Sequence, residues 1–441
     1  MNSEIIKCRI IGVLDDGVDS LSRTALNHLQ QAHLVIGGKR TLQLFAVHIN
    51  PAAKQLDLSG SLSHVPEWIR SAQSENLRVV VLATGDPLCH GIAAYLASRL
   101  CIEAIEVLPN VSTLQLACAR LGLPWQDMKF SSVHSKDAGD WVEGAEPSHG
   151  LYALLRDIRQ HDRLAVLTSP ENTPDRIARM LVTEGLADDF EMAVAECLCQ
   201  PQERIISGMT ITAAASMPFA DPNVVLLWRT TLRQYPVLLG LPDASYQQRY
   251  PEKGLITKNE VRVVSLARMQ LRANSVVWDI GAGSGSVGLE AARLCSQGHV
   301  YAIEKNTDDS AIVRANRKVL GISNHTLVHG KAPEGLQNWP DPDAVFVGGS
   351  GGELVELIRL MMLRMKPEGW LVMNFVTLEN LSVAVDTLKS LGFVWDVVQL
   401  QASRSKPILH MNRMAAENPV WLVCAQKVAS LKTVKMERNN D

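Results

Sequence analysis

Asp279-Ile-Gly281-Ala-Gly283-Ser-Gly285-Ser-Val-Gly288 sets the architecture of the second half of the chain. This stretch closes a predicted buried strand with an acid, and its alternating glycines predict a tight turn into a helix. Such a turn lets backbone approach a ligand more closely than side chains would permit. Glu304 lies nineteen positions after Gly285 and ends the next predicted strand, where an acid can bind the hydroxyl pair of a ribose. The layout predicts a Rossmann-like α/β domain that binds an adenosine-containing cofactor.

Two classes of cofactor are compatible with this turn. Gly283, Gly285 and Gly288 also satisfy the dinucleotide pattern G-x-G-x-x-G, so a dinucleotide-dependent oxidoreductase stays open as an alternative. An acid such as Asp279 ahead of the glycines is unfavourable near a pyrophosphate, whereas it suits a cationic sulfonium or its amino group. The G-x-G-x-G spacing is also the more common methyltransferase form. We therefore expect S-adenosylmethionine as the cofactor.

Length and composition limit the number of domains, the partners and the metal sites that we expect. A chain of 441 residues exceeds the size at which one hydrophobic core stops growing, so we expect two domains. The formal net charge of -3 argues against a nucleic acid partner, since neutralising phosphates needs a basic face. Eight cysteines without a C-x-x-C pair predict buried thiols and no metal site. Neither a signal peptide nor an apolar run of roughly eighteen residues is found, so we expect a cytoplasmic protein with no membrane partner.

The first half reads as alternating strands and helices, which is typical of an α/β fold with a parallel sheet. The predicted strands of its two lobes are 8–14, 34–36, 78–82 and 105–108, then 164–167, 191–197 and 224–228. Prolines and glycines concentrate in 236–254, as in a linker or the entry to a new domain. We expect a two-lobed domain over 1–235, a Rossmann-like domain over 236–430 and a polar tail over 431–441.

Two stretches that flank the glycine turn carry a family resemblance. Gly254-Leu-Ile-Thr257-Lys-Asn-Glu260-Val-Arg262 precedes the turn, and Val347-Gly-Gly-Ser-Gly-Gly352 follows it. Over essentially residues 240–425, the chain resembles the decarboxylating C-terminal half of the precorrin-6B methyltransferase family. With Asp279 from the turn itself, the cofactor contacts expected on this basis are Thr257, Asp279, Gly281, Ala282, Gly283, Ser284, Gly285, Glu304 and Ala332. The candidate substrate contacts are Gly348, Gly349, Ser350, Gly351, Gly352 and Arg262.

A second set of motifs lies in the first half. Thr84-Gly85-Asp86-Pro87-Leu88 ends a predicted strand, and Leu108-Pro-Asn-Val-Ser-Thr-Leu-Gln115, Ala119-Arg-Leu-Gly-Leu-Pro-Trp125 and Val133-His-Ser135 follow in order. In this order they resemble the corrin-ring branch of the tetrapyrrole methylase family. The resemblance implies a cofactor in the cleft between two lobes, contacted largely by backbone. The implied contacts are Gly12, Gly85, Asp86, Ser112 and Thr113.

Together, the two resemblances imply a tetrapyrrole (precorrin) substrate. They imply methylation of precorrin-6B at ring carbons 5 and 15, with decarboxylation of the carbon-12 acetate, to give precorrin-8 in cobalamin biosynthesis. Methyl transfer from a sulfonium chiefly needs alignment and exclusion of water, so no catalytic side chain is assigned. An S-adenosylmethionine-dependent RNA or protein methyltransferase stays open as a further alternative, as do a cobalt-free or cobalt-containing substrate and either order of methylation. We expect a homo-oligomer.

Overall fold

A computed structural model describes residues 6–134, 137–233, 235–249, 256–350 and 352–428. These residues divide into two compact units. The first unit contains the described residues of 1–141, 153–182 and 186–233, and the second contains those of 142–152, 183–185 and from 234 onward. The predicted polar tail over 431–441 lies outside the described residues, and the predicted domain boundaries stay predictions.

The first unit begins with a five-stranded parallel sheet. Its strands are β1 (Cys8–Val13), β2 (Leu34–Gly37), β3 (Lys54–Asp57), β4 (Val79–Thr84) and β5 (Ile105–Leu108), in the order β3-β2-β4-β1-β5. The helices that accompany them are α1 (Arg23–Gln30), α2 (Lys39–Leu44), α3 (Val65–Ser74), α4 (Ile92–Arg99) and α5 (Thr113–Leu121). Cys8 and Ile10 pack on one face of the sheet, and Ile11 and Val13 on the other. Both faces are therefore buried, which is why β1 is apolar except for Arg9.

The second sheet of this unit is mostly antiparallel. Its strands are β6 (Lys129–Ser132), β7 (Arg163–Leu167), β8 (Phe190–Glu196), β9 (Arg204–Thr210) and β10 (Asn223–Arg229), in the order β6-β7-β10-β8-β9. The helices of this stretch are α6 (Tyr152–Gln160), α7 (Pro174–Thr183) and α8 (Ile211–Ala214). Leu114 and Cys118 of α5 pack in one cluster with Val224 and Leu226 of β10. Helix α5 thus joins the two sheets of the unit.

The second unit is built on a seven-stranded sheet. Its strands are β11 (Val276–Ile280), β12 (His299–Glu304), β13 (His325–His329), β14 (Ala344–Val347), β15 (Trp370–Phe375), β16 (Val394–Leu400) and β19 (Val420–Gln426), in the order β13-β12-β11-β14-β15-β19-β16. Only β19 runs antiparallel to its neighbours in this sheet. A separate hairpin pairs β17 (Ser403–Ile408) with β18 (Met411–Ala416). The helices are α9 (Asn259–Arg268), α10 (Ser286–Leu294), α11 (Thr307–Val319), α12 (Leu354–Arg364) and α13 (Leu378–Ser390).

The predicted α/β fold class is confirmed, and every strand predicted in the first half is present within two residues of its predicted ends. Strands β3, β6, β9, β13, β17 and β18 were not predicted. β3, β17 and β18 are almost entirely exposed, so they carry no apolar run or alternation from which a strand could be read. Sequence patterning therefore misses exposed strands most readily, although it also missed β6 and β13, which are edge strands of the larger sheets.

Candidate functional sites

The second unit has a cavity of about 520 Å³ at the carboxyl ends of its parallel strands. Residues at or just beyond the ends of β11, β12, β14 and β15 line it. Strands β12 and β13 are added on one side of β11, and β14 and β15 on the other. Ligands of open α/β sheets bind where the direction of strand addition changes, at this edge. The sheet order thus places the cavity where such folds hold a ligand.

The turn after β11 makes close contacts that only glycine permits. Gly281 has a φ of +72°, and a Cβ atom there would lie 2.6 Å from the carbonyl oxygen of Gly349. Gly285 has a φ of +76° at the start of α10, and a Cβ atom there would lie 3.0 Å from Val313. The turn after β11 and the loop after β14 are therefore in backbone contact. The predicted cofactor loop and the predicted substrate loop form one wall.

Two carboxyl groups hold this turn in place. Glu304 accepts backbone N–H hydrogen bonds on both oxygens, from Gly283 at 2.8 Å and from Asn306 at 2.9 Å. Asp279 is buried, and its Oδ2 accepts the N–H of Gly288 at 3.1 Å, whereas its Oδ1 has no hydrogen-bond partner among the described residues. Burial raises the pKa of Asp279 to about 7 against the opposing hydrogen bond from Gly288, and the charge of Glu304 adds to the rise. A cation nearby would stabilise this carboxylate strongly.

The structure brings most of the predicted residues of this half together. Those that line the cavity are Thr257, Gly281, Ala282, Gly283, Glu304, Ala332, Gly348, Gly349 and Ser350. Asp279, Ser284 and Gly285 do not line it; they lie behind its wall and shape the turn. Gly352 lies in a neighbouring groove that also includes Ser350, and Gly351 lies outside the described residues.

Arg262 requires a correction. Its side chain is fully buried, and its Nε donates to Glu290, also fully buried, at 2.7 Å. Its Nη1 donates to the carbonyl oxygen of Thr257 at 2.6 Å and pairs with Asp243 at 3.2 Å, while the guanidinium lies 4.9 Å from the centre of the Tyr246 ring. An enclosed and paired guanidinium has no face left for a ligand. Arg262 therefore belongs to the core of the unit and is not a substrate contact.

Sequence reasoning missed several polar residues of the cavity wall. Among them are Lys258, Lys305, Asn374, Glu417 and Asn418. Asn374 could have been found, because it is a polar residue near the carboxyl end of an apolar strand, β15. Glu417 and Asn418 lie between β18 and β19, and no local signal indicated them because the hairpin before them was itself unpredicted.

The first unit has its own cavity, of about 290 Å³, lined from both of its sheets. The predicted residues Gly85, Asp86, Ser112 and Thr113 line it from the end of β4 and the start of α5. Gly12 is not part of the lining. A Cβ atom on Gly12 would lie 2.4 Å from the carbonyl oxygen of Gly85, so Gly12 supports the turn from beneath.

Local hydrogen bonds account for the shape of this wall. The Asp86 side chain accepts the N–H of Leu88 at 2.9 Å, which tightens the turn after the left-handed Gly85 (φ +71°). Ser112 caps α5, since its Oγ accepts the N–H of Gln115 at 3.1 Å and Gln115 accepts the N–H of Ser112 at 3.0 Å. Both motifs bring backbone groups to the cavity, and Asp86 adds one carboxylate.

Further charged and titratable residues line this cavity beyond the predicted cofactor contacts. Asp15 and Arg40 line it and form an ion pair at 2.7 Å, and Gln200 donates to the same Asp15 oxygen at 2.6 Å. His90 and His134 also line it. Asp15 follows β1 directly, so its position at a strand end was a usable signal.

Within the residues that the structure describes, no helix combines the length and apolarity needed to cross a bilayer. In the same part of the chain, no three His, Cys, Asp or Glu side chains meet in a way that could hold a metal ion. The eight cysteines are free thiols.

Two family models match this chain. The model of the tetrapyrrole (corrin/porphyrin) methylases matches residues 7–214, and the model of the precorrin methyltransferase domain matches residues 248–427. The first range includes the turn at Gly85 and the start of α5. The second includes the glycine turn after β11 and the loop after β14.

Known proteins are similar over nearly the whole chain or over its second half. The decarboxylating precorrin-6Y C(5,15)-methyltransferase of Sinorhizobium sp is 31% identical over 415 residues, 93% of this chain and 94% of the relative. The decarboxylating cobalt-precorrin-6B C(15)-methyltransferase of Salmonella typhimurium is 38% identical over 173 residues, 39% of this chain and 89% of the relative. The crystal structure of a precorrin-6Y C5,15-methyltransferase from Geobacter metallireducens is 41% identical and covers 44% of this chain and 100% of its own, with a TM-score of 0.42.

Proposed function

This chain belongs to the family of decarboxylating precorrin-6Y C(5,15)-methyltransferases, and from this we propose that it methylates precorrin-6B (precorrin-6Y) at ring carbons 5 and 15. The same protein removes the carboxyl group of the carbon-12 acetate and gives precorrin-8, in cobalamin biosynthesis. S-adenosylmethionine is the proposed methyl donor. The proposal rests on one observation above all: each of the two units has a cavity lined by the motif residues of its own half. We assign the carbon-5 reaction to the domain over 1–235 and the carbon-15 reaction to the domain over 236–430.

The residues around the cavity of the second unit fit S-adenosylmethionine. The ribose of this cofactor offers a hydroxyl pair, and Glu304 keeps free lone pairs because each of its oxygens accepts one backbone N–H. The sulfonium and the amino group are cationic, which suits the unpaired Oδ1 of buried Asp279. Gly281 keeps the wall free of a side chain. Thr257, Gly281 to Gly283, Glu304 and Ala332 would hold the cofactor.

The cavity of the first unit fits the same cofactor by different means. Gly85 and the start of α5 at Thr113 present backbone groups, and the N-terminus of a helix offers N–H groups to a carboxylate. The Asp86 carboxylate has one oxygen engaged by Leu88, so the other is available to a cation or a hydroxyl group. Gly85, Asp86, Ser112 and Thr113 would hold the cofactor here.

When bound, S-adenosylmethionine supplies a methyl group on a positively charged sulfur. The residues of the chain then have to align the accepting ring carbon and exclude water, and alignment of this kind can supply about 7–11 kcal/mol of a barrier. In the second unit the Gly281–Gly349 contact fixes two loops in one arrangement, and Phe346, Val376 and Val420 make part of the wall apolar. A wall of this kind can align the substrate and exclude water, which is what methyl transfer from a sulfonium chiefly needs.

We assign decarboxylation to the second unit as well, where it also depends on how the substrate is positioned. The bond between the acetate methylene and its carboxyl carbon breaks, and carbon dioxide leaves. The electron pair passes into the conjugated macrocycle, which is the electron sink, and uptake of one proton completes the new methyl group on carbon 12. An apolar wall favours neutral carbon dioxide over a carboxylate that has lost its water. The loop at Gly348, Gly349 and Ser350 would face the substrate.

The test is a product count on the full-length protein. Purified protein is incubated with metal-free precorrin-6B and S-adenosylmethionine carrying a labelled methyl group, and methyl incorporation and carbon dioxide are measured. We expect two methyl groups and one carbon dioxide per macrocycle. A single methyl group without gas would mean that one unit is misassigned. Tight binding of NAD with no binding of S-adenosylmethionine would instead support the oxidoreductase alternative.

A further inference from the structure

The cavity of the second unit contains more positive charge than its own acids neutralise. Lys258, Lys305 and Lys331 line it, together with Glu304 and Glu417. Each acid already has partners of its own, although Glu304 keeps free lone pairs. The oxygens of Glu304 accept backbone N–H groups, and Glu417 approaches Arg404 at 3.9 Å. Among the residues that the structure describes, neither acid forms a hydrogen bond or an ion pair with a lysine of the cavity.

The three lysines differ in whether they have a partner. The ammonium of Lys331 pairs with Glu353 at 2.5 Å. Lys258 and Lys305 make no side-chain hydrogen bond or ion pair with any residue that the structure describes. Lys258 directly precedes α9, beside Thr257, and Lys305 directly follows β12, beside Glu304. Lys258, which is partly buried, and Lys305, which is exposed, therefore adjoin the predicted cofactor contacts Thr257 and Glu304 along the chain, and both line the cavity.

Charge balance indicates what these two groups bind. The methyl donor is itself cationic at sulfur, and the carboxylate of its amino-acid end is neutralised by its own ammonium. A cavity with two unpaired lysines and a cationic cofactor needs anions from its other ligand. A tetrapyrrole with several carboxylate side chains supplies them, and an ammonium group binds a carboxylate as a point charge with three donors. The formal net charge of -3 would not attract an anionic macrocycle, so the attraction has to come from positive charge in the cavity itself.

We propose that Lys258 and Lys305 bind carboxylate side chains of the tetrapyrrole and thereby set which face and edge of the macrocycle enter the second unit. This inference rests on the function proposed above. The two lysines are positioning residues: they hold the carboxylates that remain on the product, while the acetate to be lost is left to the apolar part of the wall. The same chemistry, a carboxylate, is also present on the cofactor, and the experiment separates the two sources.

The variants are Lys258→Gln, Lys305→Gln and the double variant, with Lys258→Arg and Lys305→Arg as charge-preserving counterparts. Lys318→Gln is the matched control, because Lys318 is exposed on α11 of the same unit and does not line the cavity. Three quantities are measured for each: the Kd of precorrin-6B by absorbance titration, the Kd of S-adenosylhomocysteine by calorimetry, and KM and kcat for carbon-15 methylation. Carbon-5 methylation by the other unit of the same chain is an internal control.

We expect each Gln variant to weaken precorrin-6B binding and raise its KM about 5-fold, and the double variant about 20-fold, with kcat changed less than about twofold. The Kd of S-adenosylhomocysteine and carbon-5 methylation stay unchanged, the Arg variants keep most of the affinity, and the salt dependence of KM becomes weaker in the double variant.

Weaker S-adenosylhomocysteine binding with an unchanged KM for precorrin-6B would overturn the proposal, because the lysines would then hold the cofactor. Unchanged binding of both ligands would overturn it as well. If the unmodified protein binds precorrin-6B but releases no carbon dioxide and transfers no methyl group, the proposed function fails, while the titrations still decide the role of the lysines.

Discussion

Different residues shape the walls of the two cavities, although the same cofactor is proposed for both. In the second unit the cavity lies at one edge of a single sheet, and the buried carboxyl groups of Asp279 and Glu304 support its glycine turn. In the first unit the cavity has walls from two sheets, and Asp15 is neutralised by Arg40. If S-adenosylmethionine binds both units as proposed, one cationic ligand is accommodated by buried acids in one unit and largely by backbone in the other. Variants should therefore affect the two units independently.

The largest effect is expected from Gly281→Ala. A Cβ atom at this left-handed position would lie 2.6 Å from the carbonyl oxygen of Gly349, which separates the two loops of the wall. We expect carbon-15 methylation and carbon dioxide release to fall about 100-fold, about 3 kcal/mol, with carbon-5 methylation unchanged. Gly392→Ala is the control, because Gly392 has nearly the same φ (+73°) and open space around its Cβ position. Equal losses in both variants would show that backbone strain, and not the loop contact, matters.

The mirror experiment is Gly12→Ala in the first unit. The added methyl group would lie 2.4 Å from the carbonyl oxygen of Gly85 and displace the turn that lines the cavity. We expect carbon-5 methylation to fall about 30-fold, about 2 kcal/mol, while carbon-15 methylation is retained. Gly38→Ala, in the same sheet region but with nothing near its Cβ position, should leave both reactions intact. Loss of the carbon-15 reaction with Gly12→Ala would end the view that the units act independently.

A smaller effect is expected from Glu304→Gln. The amide keeps the shape of the side chain but loses its charge and one acceptor, so affinity for S-adenosylhomocysteine should fall about 10-fold in the second unit alone. Calorimetric titration of the full chain would then resolve one unchanged site and one weakened site. Glu379→Gln, on the exposed start of α13, is the matched control. A uniform weakening of both sites would contradict the distinction between acid-supported and backbone-supported binding.

The smallest effect concerns pH. Because burial raises the pKa of Asp279 to about 7, this carboxyl group holds more protons in the folded unit than in the unfolded chain between about pH 4 and about pH 7. The contribution of this group to stability therefore falls as pH rises from about 4 to about 7. A cationic ligand binds the ionised form better, so S-adenosylmethionine affinity of the second unit should rise about 5-fold between about pH 6 and about pH 8, with proton release.

Calorimetry in buffers of different ionisation enthalpy measures this proton release directly. Asp279→Asn should abolish both the slope and the proton release of the second unit. A slope that persists in the Asn variant would assign the titration to another group.

The glycine turns and strand-end acids were predictable because each belongs to a single strand–turn–helix–strand segment. The hydrogen bond from Gly283 to Glu304 lies within one such segment. The turn at Gly85 and the cap at Ser112 are likewise local features. Sequence could not distinguish a glycine that touches a ligand from one that supports the turn. Gly12 and Gly285 were both expected as contacts, yet both lie behind the wall, because close packing selects glycine as strongly as a ligand does. The homo-oligomer and the cytoplasmic location remain predictions.

Local sequence was sufficient for the α/β class of both halves and for the strand ends that hold the motifs, because apolar runs and glycine turns act over short segments, but it did not indicate that the second sheet of the first unit is mostly antiparallel. Long-range packing was needed to bury Arg262 against Glu290, to leave one oxygen of Asp279 unpaired, and to bring Lys258 and Glu417 to the same cavity as the glycine turn. These properties depend on burial and on which distant side chains meet, and a side chain's charge acts on whatever surrounds it in space, not on its neighbours along the chain.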